Sequence, residues 1–283
     1  MPRKLPRSSF KKAAKAAQLS FLPESPPKSV TFLKALRLDP PSEEMAGKYP
    51  YNIPSIRSLR RMEFKSPVTF FVGENGSGKS TLLEAIAVRL GFNPEGGSRN
   101  LRFETKGTHS ELKDSLTLER QGHFSDGFFL RAESFYNVAT ELESTEEWQP
   151  PHLRFLAYGG KSLHVQSHGE SFLALLKNRL QGDGVYLFDE PEAALSPQRQ
   201  LSVLTLLHRL VRHRSQLIIA THSPILLAYP EATIYEFSAE GIRQIAYEDT
   251  DHFRITRDFL NRHERMVDIL ISSEEEDLRS RAR

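Results

Sequence analysis

The chain has 283 residues, room for one large domain or two small ones at roughly 150 residues each. Hydrophobic residues make up 39% and charged residues 26%, which argues against a disordered chain, and no apolar run approaches the roughly 20 residues of a membrane-spanning helix. Cysteine is absent, which excludes disulfides, thiolate metal sites and cysteine nucleophiles and fits a reducing, cytoplasmic setting. Lys+Arg 38 against Asp+Glu 36 leaves a net charge of +2, so any affinity for nucleic acid or an anionic membrane must rest on a local patch.

Residues 1–29 form one such patch, with Arg3, Lys4, Arg7, Lys11, Lys12, Lys15 and Lys28 against the single acid Glu24. This basic arm reads either as a solvated tail or as a segment for nucleic acid or a membrane surface. From Val30 to residue 283 the pattern is that of one domain. Val68–Val72 is a β-branched and aromatic run suited to a buried strand. A glycine-rich turn follows it, and then Leu82, Leu83, Ile86 and Leu90 share a helical face that Gly91 ends. Residues 96–130 alternate, as in Leu101–Glu104 and Leu116–Glu119, and predict antiparallel ribbons within an inserted region of about 92–182. The acidic stretch with Glu141, Glu143, Glu146 and Glu147 before Trp148 reads as a solvated loop, with a docking site around the tryptophan as the alternative.

Helices are predicted over 171–180 and 197–211, the second with Ser196 as N-cap, Pro197 at its first position, and Leu201, Leu204, Leu207 and Val211 on one face. Strands are predicted over 184–188 and 217–220, a hairpin over 233–245 turning near Glu240–Gly241, and a closing helix over 255–270. Apolar strands alternating with helices imply an α/β fold, a mostly parallel sheet flanked by helices.

Gly73-Glu74-Asn75-Gly76-Ser77-Gly78-Lys79-Ser80 is the chemistry-bearing motif. Its glycines let successive N–H groups of residues 75–81, Asn75, Gly76, Ser77, Gly78, Lys79, Ser80 and Thr81, point into one concavity at a helix start. Lys79 brings an ammonium to the β/γ-phosphates of ATP and Ser80 a hydroxyl to Mg²⁺. Val185–Phe188 runs into Asp189 and Glu190 at a strand end, where ligands of parallel sheets bind. There Asp189 would hold Mg²⁺ and Glu190 would polarise the attacking water as general base.

Asp189-Glu190-Pro191-Glu192-Ala193-Ala194-Leu195-Ser196-Pro197 resembles the Walker B and D-loop of ABC-type ATPases, and Ala220-Thr221-His222-Ser223-Pro224 resembles their switch-histidine motif. Gln166-Ser167-His168-Gly169-Glu170 is similar to the degenerate signature of the RecF/SMC-like branch, His168 standing where glycine is usual. Ser167 lies 22 residues before Asp189 and His222 lies 33 after it, in the family's order. The resemblance implies a P-loop NTPase of ABC-ATPase type with an antiparallel β subdomain and a helical signature subdomain. It implies a homodimer that sandwiches ATP, Ser167 and Gly169 of one chain completing the cradle of the other, with His222 at the γ-phosphate or the water.

Two family elements are less defined. The counterpart of the glutamine loop, Phe128–Ser134, has no glutamine and offers instead Glu133 as metal ligand or water-orienting group and Arg131 as phosphate partner. Tyr49 and Tyr51 are positioned to stack on adenine or to serve as ordinary core or surface aromatics. Only 110 residues separate Lys79 from Asp189, which leaves no room for a long coiled coil. The 61 residues after His222 are too few for a Toprim nuclease domain, so the resemblance is to the small ABC-type heads often labelled AAA-family. The functional expectation is Mg-dependent ATP hydrolysis coupled to DNA repair or phage defence, with Arg57, Arg60 and Arg61 as a second basic cluster and a protein effector encoded nearby as a further partner. The alternatives are the nucleotide-binding subunit of a transporter, with no membrane segment of its own, and a nucleotide-gated adaptor with little turnover.

Overall fold

The structure is a computed structural model that describes residues 30–99, 111–144 and 155–281. The basic arm of residues 1–29, the fragment 101–104 and Trp148 lie outside the described residues. In chain order the elements are β1 (Leu33–Leu38), α1 (Pro54–Ser58), β2 (Arg61–Glu63), β3 (Val68–Val72), α2 (Lys79–Leu90), β4 (Leu116–Arg120), β5 (Asp126–Arg131) and α3 (Phe135–Ser144). After these come α4 (His168–Asn178), β6 (Gly184–Asp189), α5 (Pro197–Arg212), β7 (Gln216–Ala220), α6 (Pro224–Leu227), β8 (Thr233–Ser238), β9 (Gly241–Ile245) and α7 (Asp251–Arg281).

The main sheet has the order β5-β6-β7-β3-β8-β9 and is parallel except for the β8–β9 hairpin, which pairs Ser238 with Gly241 at its turn. Its central strands β3, β6 and β7 are buried on both faces, so successive residues of one strand go alternately to two cores. Phe70, Phe128, Leu130, Tyr186, Phe188, Leu217 and Ile219 join the core beneath α3, α4 and α5. Phe71, Phe129, Val185, Leu187 and Ile218 join the opposite core, where Leu82, Leu83, Ile86 and Leu90 of α2 meet the antiparallel sheet β2-β1-β4.

Several boundaries differ from the sequence reading. Residues 116–120 are antiparallel, against β1, but Asp126–Arg131 joins the parallel sheet beside β6. Glu141 and Glu143 lie on α3 rather than in a loop, because Phe135, Val138, Ala139 and Leu142 repeat at helical spacing and are buried. Glu143 accepts hydrogen bonds from Ser162 Oγ (2.8 Å) and the Leu163 amide (2.5 Å). On α5 the buried stripe is Val203, Leu207 and Leu210, while Leu201 is 40% exposed. Ser196 takes the N-cap position of α5 without a side-chain bond to the helix, since Pro197 at the first position supplies the turn instead. The last helix runs well past residue 270 and starts earlier than residue 255. Thr250 Oγ1 accepts from the Phe253 amide (3.2 Å) and caps it.

One buried side chain ties the two sheets. Gln216, at the start of β7, accepts from the Leu33 amide (2.7 Å) and donates to the Leu33 carbonyl (2.9 Å), satisfying both main-chain groups of a residue at the start of β1. Gln216→Leu strands both groups out of water and should cost about 2–4 kcal/mol, read as a lowered denaturant midpoint with an unchanged slope.

Candidate nucleotide-binding site

β3 runs directly into the turn at Gly73, and α2 starts at Lys79, so the loop is held between a buried strand and a helix N-terminus. Gly73 has φ 137° because the end of β8 crowds it: a Cβ there would lie 2.2 Å from the Phe237 carbonyl oxygen. Gly76 and Gly78 are also left-handed, at φ 79° and 98°. Asn75 and Gly76 are exposed at the turn, while Gly78 and Lys79 are buried. The Ser55 hydroxyl, on α1, donates to the Ser77 carbonyl and braces the loop from behind, a contact the sequence did not announce. Ser77 Oγ is buried without a hydrogen-bond partner among the described residues.

Lys79 Nζ donates to the carbonyls of Gly73 (2.7 Å) and Glu74 (2.9 Å), so its ammonium is folded over the loop. Burial lowers its pKa, opposed by the carboxylates of Glu190, Asp189, Glu74 and Glu192. The Ser80 hydroxyl donates to Asp189 Oδ1 at 2.8 Å, which brings together the two residues expected at a metal. Burial pushes the Asp189 carboxyl up to about 6, although the Arg131 guanidinium and the Ser80 hydrogen bond pull it down. Arg131 lies opposite Asp189 in the β5–β6 register, with Nε 3.6 Å from Oδ2 and Nη1 2.9 Å from Glu84 Oε2. It therefore serves the acid and not the phosphate side foreseen for it. Glu133 is 87% exposed, 3.8 Å from Arg131 Nη2, and is not gathered to the metal position.

Glu190 leaves β6 in a left-handed conformation (φ 50°), its amide held by the Ala220 carbonyl at 2.9 Å. This turn carries its carboxylate to within 3.7 Å of His222 Nε2. The His222 amide donates to Glu192 Oε1 (2.5 Å), and its Nδ1 lies 3.0 Å from Nε2 of His252, the second residue of α7. His252 was not foreseen: nothing in a lone histidine at a helix start marks it for a site. It lines a cavity of about 380 Å³ with Gly73, Gly76, Ser77, Glu236 and Ser238.

Thr81 is the hydrogen-bond partner of Tyr49, whose hydroxyl lies 3.1 Å from Thr81 Oγ1 on an exposed ring; Tyr51 is buried and bonded to Ser115 Oγ at 2.8 Å. Adenine stacking is thus open to Tyr49 and closed to Tyr51. Ser167 and Gly169 stand apart from the loop. The Ser167 hydroxyl donates to Glu170 (2.7 Å), and a Cβ on Gly169 would meet the Ala194 carbonyl oxygen at 2.6 Å, so Gly169 already answers a packing demand within its own chain. The basic cluster is partly spent: Arg61 is paired with Glu119, and Arg60 donates to the Arg57 and Leu59 carbonyls.

Two family models match the sequence around this site. An AAA-domain model matches residues 52–145, the stretch that holds the phosphate loop, and a second AAA-domain model, whose description proposes an AbiEii toxin of a type IV toxin–antitoxin system, matches residues 171–228, which hold both acids and His222. The chain is similar, over both halves of the site, to P-loop proteins of the AAA-domain and ABC type. Among curated relatives, a candidate ABC transporter ATP-binding protein of Bacillus thuringiensis subsp. konkukian is 29% identical over 192 residues, 64% of the chain and 34% of that protein. The L-cystine transport system ATP-binding protein TcyN of Escherichia coli is 26% identical over 174 residues, 55% of the chain and 69% of that protein. The chain thus spans about a third of the length of the first of these. Among solved structures, the SMC head domain from Thermotoga maritima is 18% identical, with 76% of the chain and 98% of that domain covered at a TM-score of 0.42.

Gly73→Ala tests the loop geometry. A methyl group 2.2 Å from the Phe237 carbonyl oxygen, on a left-handed residue, should lower stability by at least about 2 kcal/mol, measured by denaturant unfolding.

Proposed function

We propose that the chain hydrolyses ATP to ADP and phosphate with bound Mg²⁺, as a dimer that closes around the nucleotide. The observation that carries this reading is the convergence of Ser80, Asp189, Glu190 and His222 beside the loop of residues 73–81. The residues fit the groups they would hold. An orphaned Ser77 hydroxyl and a lysine bonded to loop carbonyls are donors that a triphosphate would accept from. Ser80 and Asp189 would hold Mg²⁺; among the described residues no cluster of three or more His, Asp or Glu is arranged for a metal, so its other ligands would be water and nucleotide. When bound, the ion supplies charge neutralisation at the phosphate oxygens.

The chain's own residues do the rest. The amides of residues 75–81 and Lys79 bind the phosphates, and Tyr49 stacks on adenine. Glu190 orients the water and takes its proton, and His222 donates from Nε2 to the terminal phosphate. Ser167 and Gly169, which sit at the start of α4 and bond within their own subdomain, would serve the partner's nucleotide.

For the work this cycle performs, DNA repair or phage defence is supported by the basic residues 1–29 and the signature resemblance. The names of the curated relatives favour a second reading, the nucleotide-binding subunit of a transporter. In that reading the chain would work beside a membrane partner; no described helix is long and apolar enough to cross a membrane. DNA binding that strengthens with ATP separates the first reading from the second, for which co-purification with a membrane protein is the sign.

Glu190→Gln should retain ATP binding, lose at least about 100-fold in turnover and accumulate as an ATP-bound dimer. Phosphate release and sedimentation velocity check both effects. A mutant that stays monomeric with ATP, or hydrolyses it at the parent rate, contradicts the proposal.

A further inference from the structure

We propose that His252 is a positioning residue that fixes the tautomer of His222, so that α7 is wired into the catalytic centre; this rests on the hydrolytic reading above. Where both imidazoles are neutral, the 3.0 Å contact between them holds one proton, in one of two arrangements. If His222 donates from Nδ1, its Nε2 is a bare lone pair facing the Glu190 carboxylate at 3.7 Å, with no other hydrogen-bond partner among the described residues. That arrangement sets negative against negative. If His252 donates from Nε2, His222 carries its proton on Nε2, aimed at Glu190 and the water. The second arrangement is the electrostatically favoured one.

His252 is suited to the neutral donor role. Burial lowers its pKa, and so do His222 and Lys79, while Glu74 and Asp251 raise it less. Its place in the first turn of α7 also disfavours a positive charge. The start of α7 is held in place by the cap at Thr250 and by Tyr247, which packs tilted against Phe253 (centroids 4.6 Å apart) and donates to the Pro224 carbonyl at 2.9 Å, two residues beyond His222. The switch loop is therefore gripped twice by residues 247–253.

The direct test is the tautomer of His222, read from imidazole ¹⁵N shifts of the full chain without nucleotide and assigned with His222→Ala. Wild type should show Nε2–H with Nδ1 accepting, and His252→Ala should lose that preference. In ATP turnover, His252→Ala should lower kcat about 10- to 100-fold with KM within about twofold. His252→Gln, whose amide can still donate, should recover most of the loss. An Nδ1–H tautomer in wild type, or a His222 signal and kcat unmoved in His252→Ala, overturns the proposal. If wild type has no turnover, the hydrolytic reading fails while the shifts still decide the role of His252.

Discussion

The hydrogen bond from Ser80 to Asp189 joins the start of α2 to the end of β6, although β6 and β3 are not neighbours in the sheet: β7 lies between them. Parallel strands bring their carboxyl ends to one edge, and here β3, β6 and β7 deliver the phosphate loop, the two acids and His222 to the same place. The rest of the site is arranged around Asp189. Its burial raises its pKa, and the cost of an ionised acid there is offset by Arg131 across the β5–β6 register and by the Ser80 hydroxyl. Glu84 on α2 takes a nitrogen of the same guanidinium, so the helix that begins at the loop is tied to the strand that balances the acid.

The loop is shaped by its neighbours as much as by its glycines. Phe237 excludes a side chain at Gly73, and Ser55 holds the Ser77 carbonyl. Elements before β3 and after β7 therefore both contact the cradle, although neither carries a recognisable motif. Further on in the chain, His252 reaches His222 from the head of a helix whose remaining turns stand in solvent. A long lever with one end at the switch histidine is a physical route between the site and whatever covers that helix.

The motifs and their order were legible in the residues. Gly73–Ser80 after an apolar strand, two acids closing a second strand and a histidine after a third require particular residue types at particular spacings, and unbroken apolar runs bounded by helices implied a sheet covered on both faces. Helix α3 was legible too, in the spacing of Phe135, Val138, Ala139 and Leu142, but the neighbouring glutamates masked it. Tertiary structure alone decided which tyrosine is free to stack, that Arg131 serves Asp189, that Gln216 joins the sheets, and that His252 touches His222. Those contacts lie 30 to 183 residues apart in sequence, and each is an ordinary side chain with no local signature. Spacing along a chain specifies which face of an element a residue occupies, whereas the residue opposite it is set only when separate elements pack.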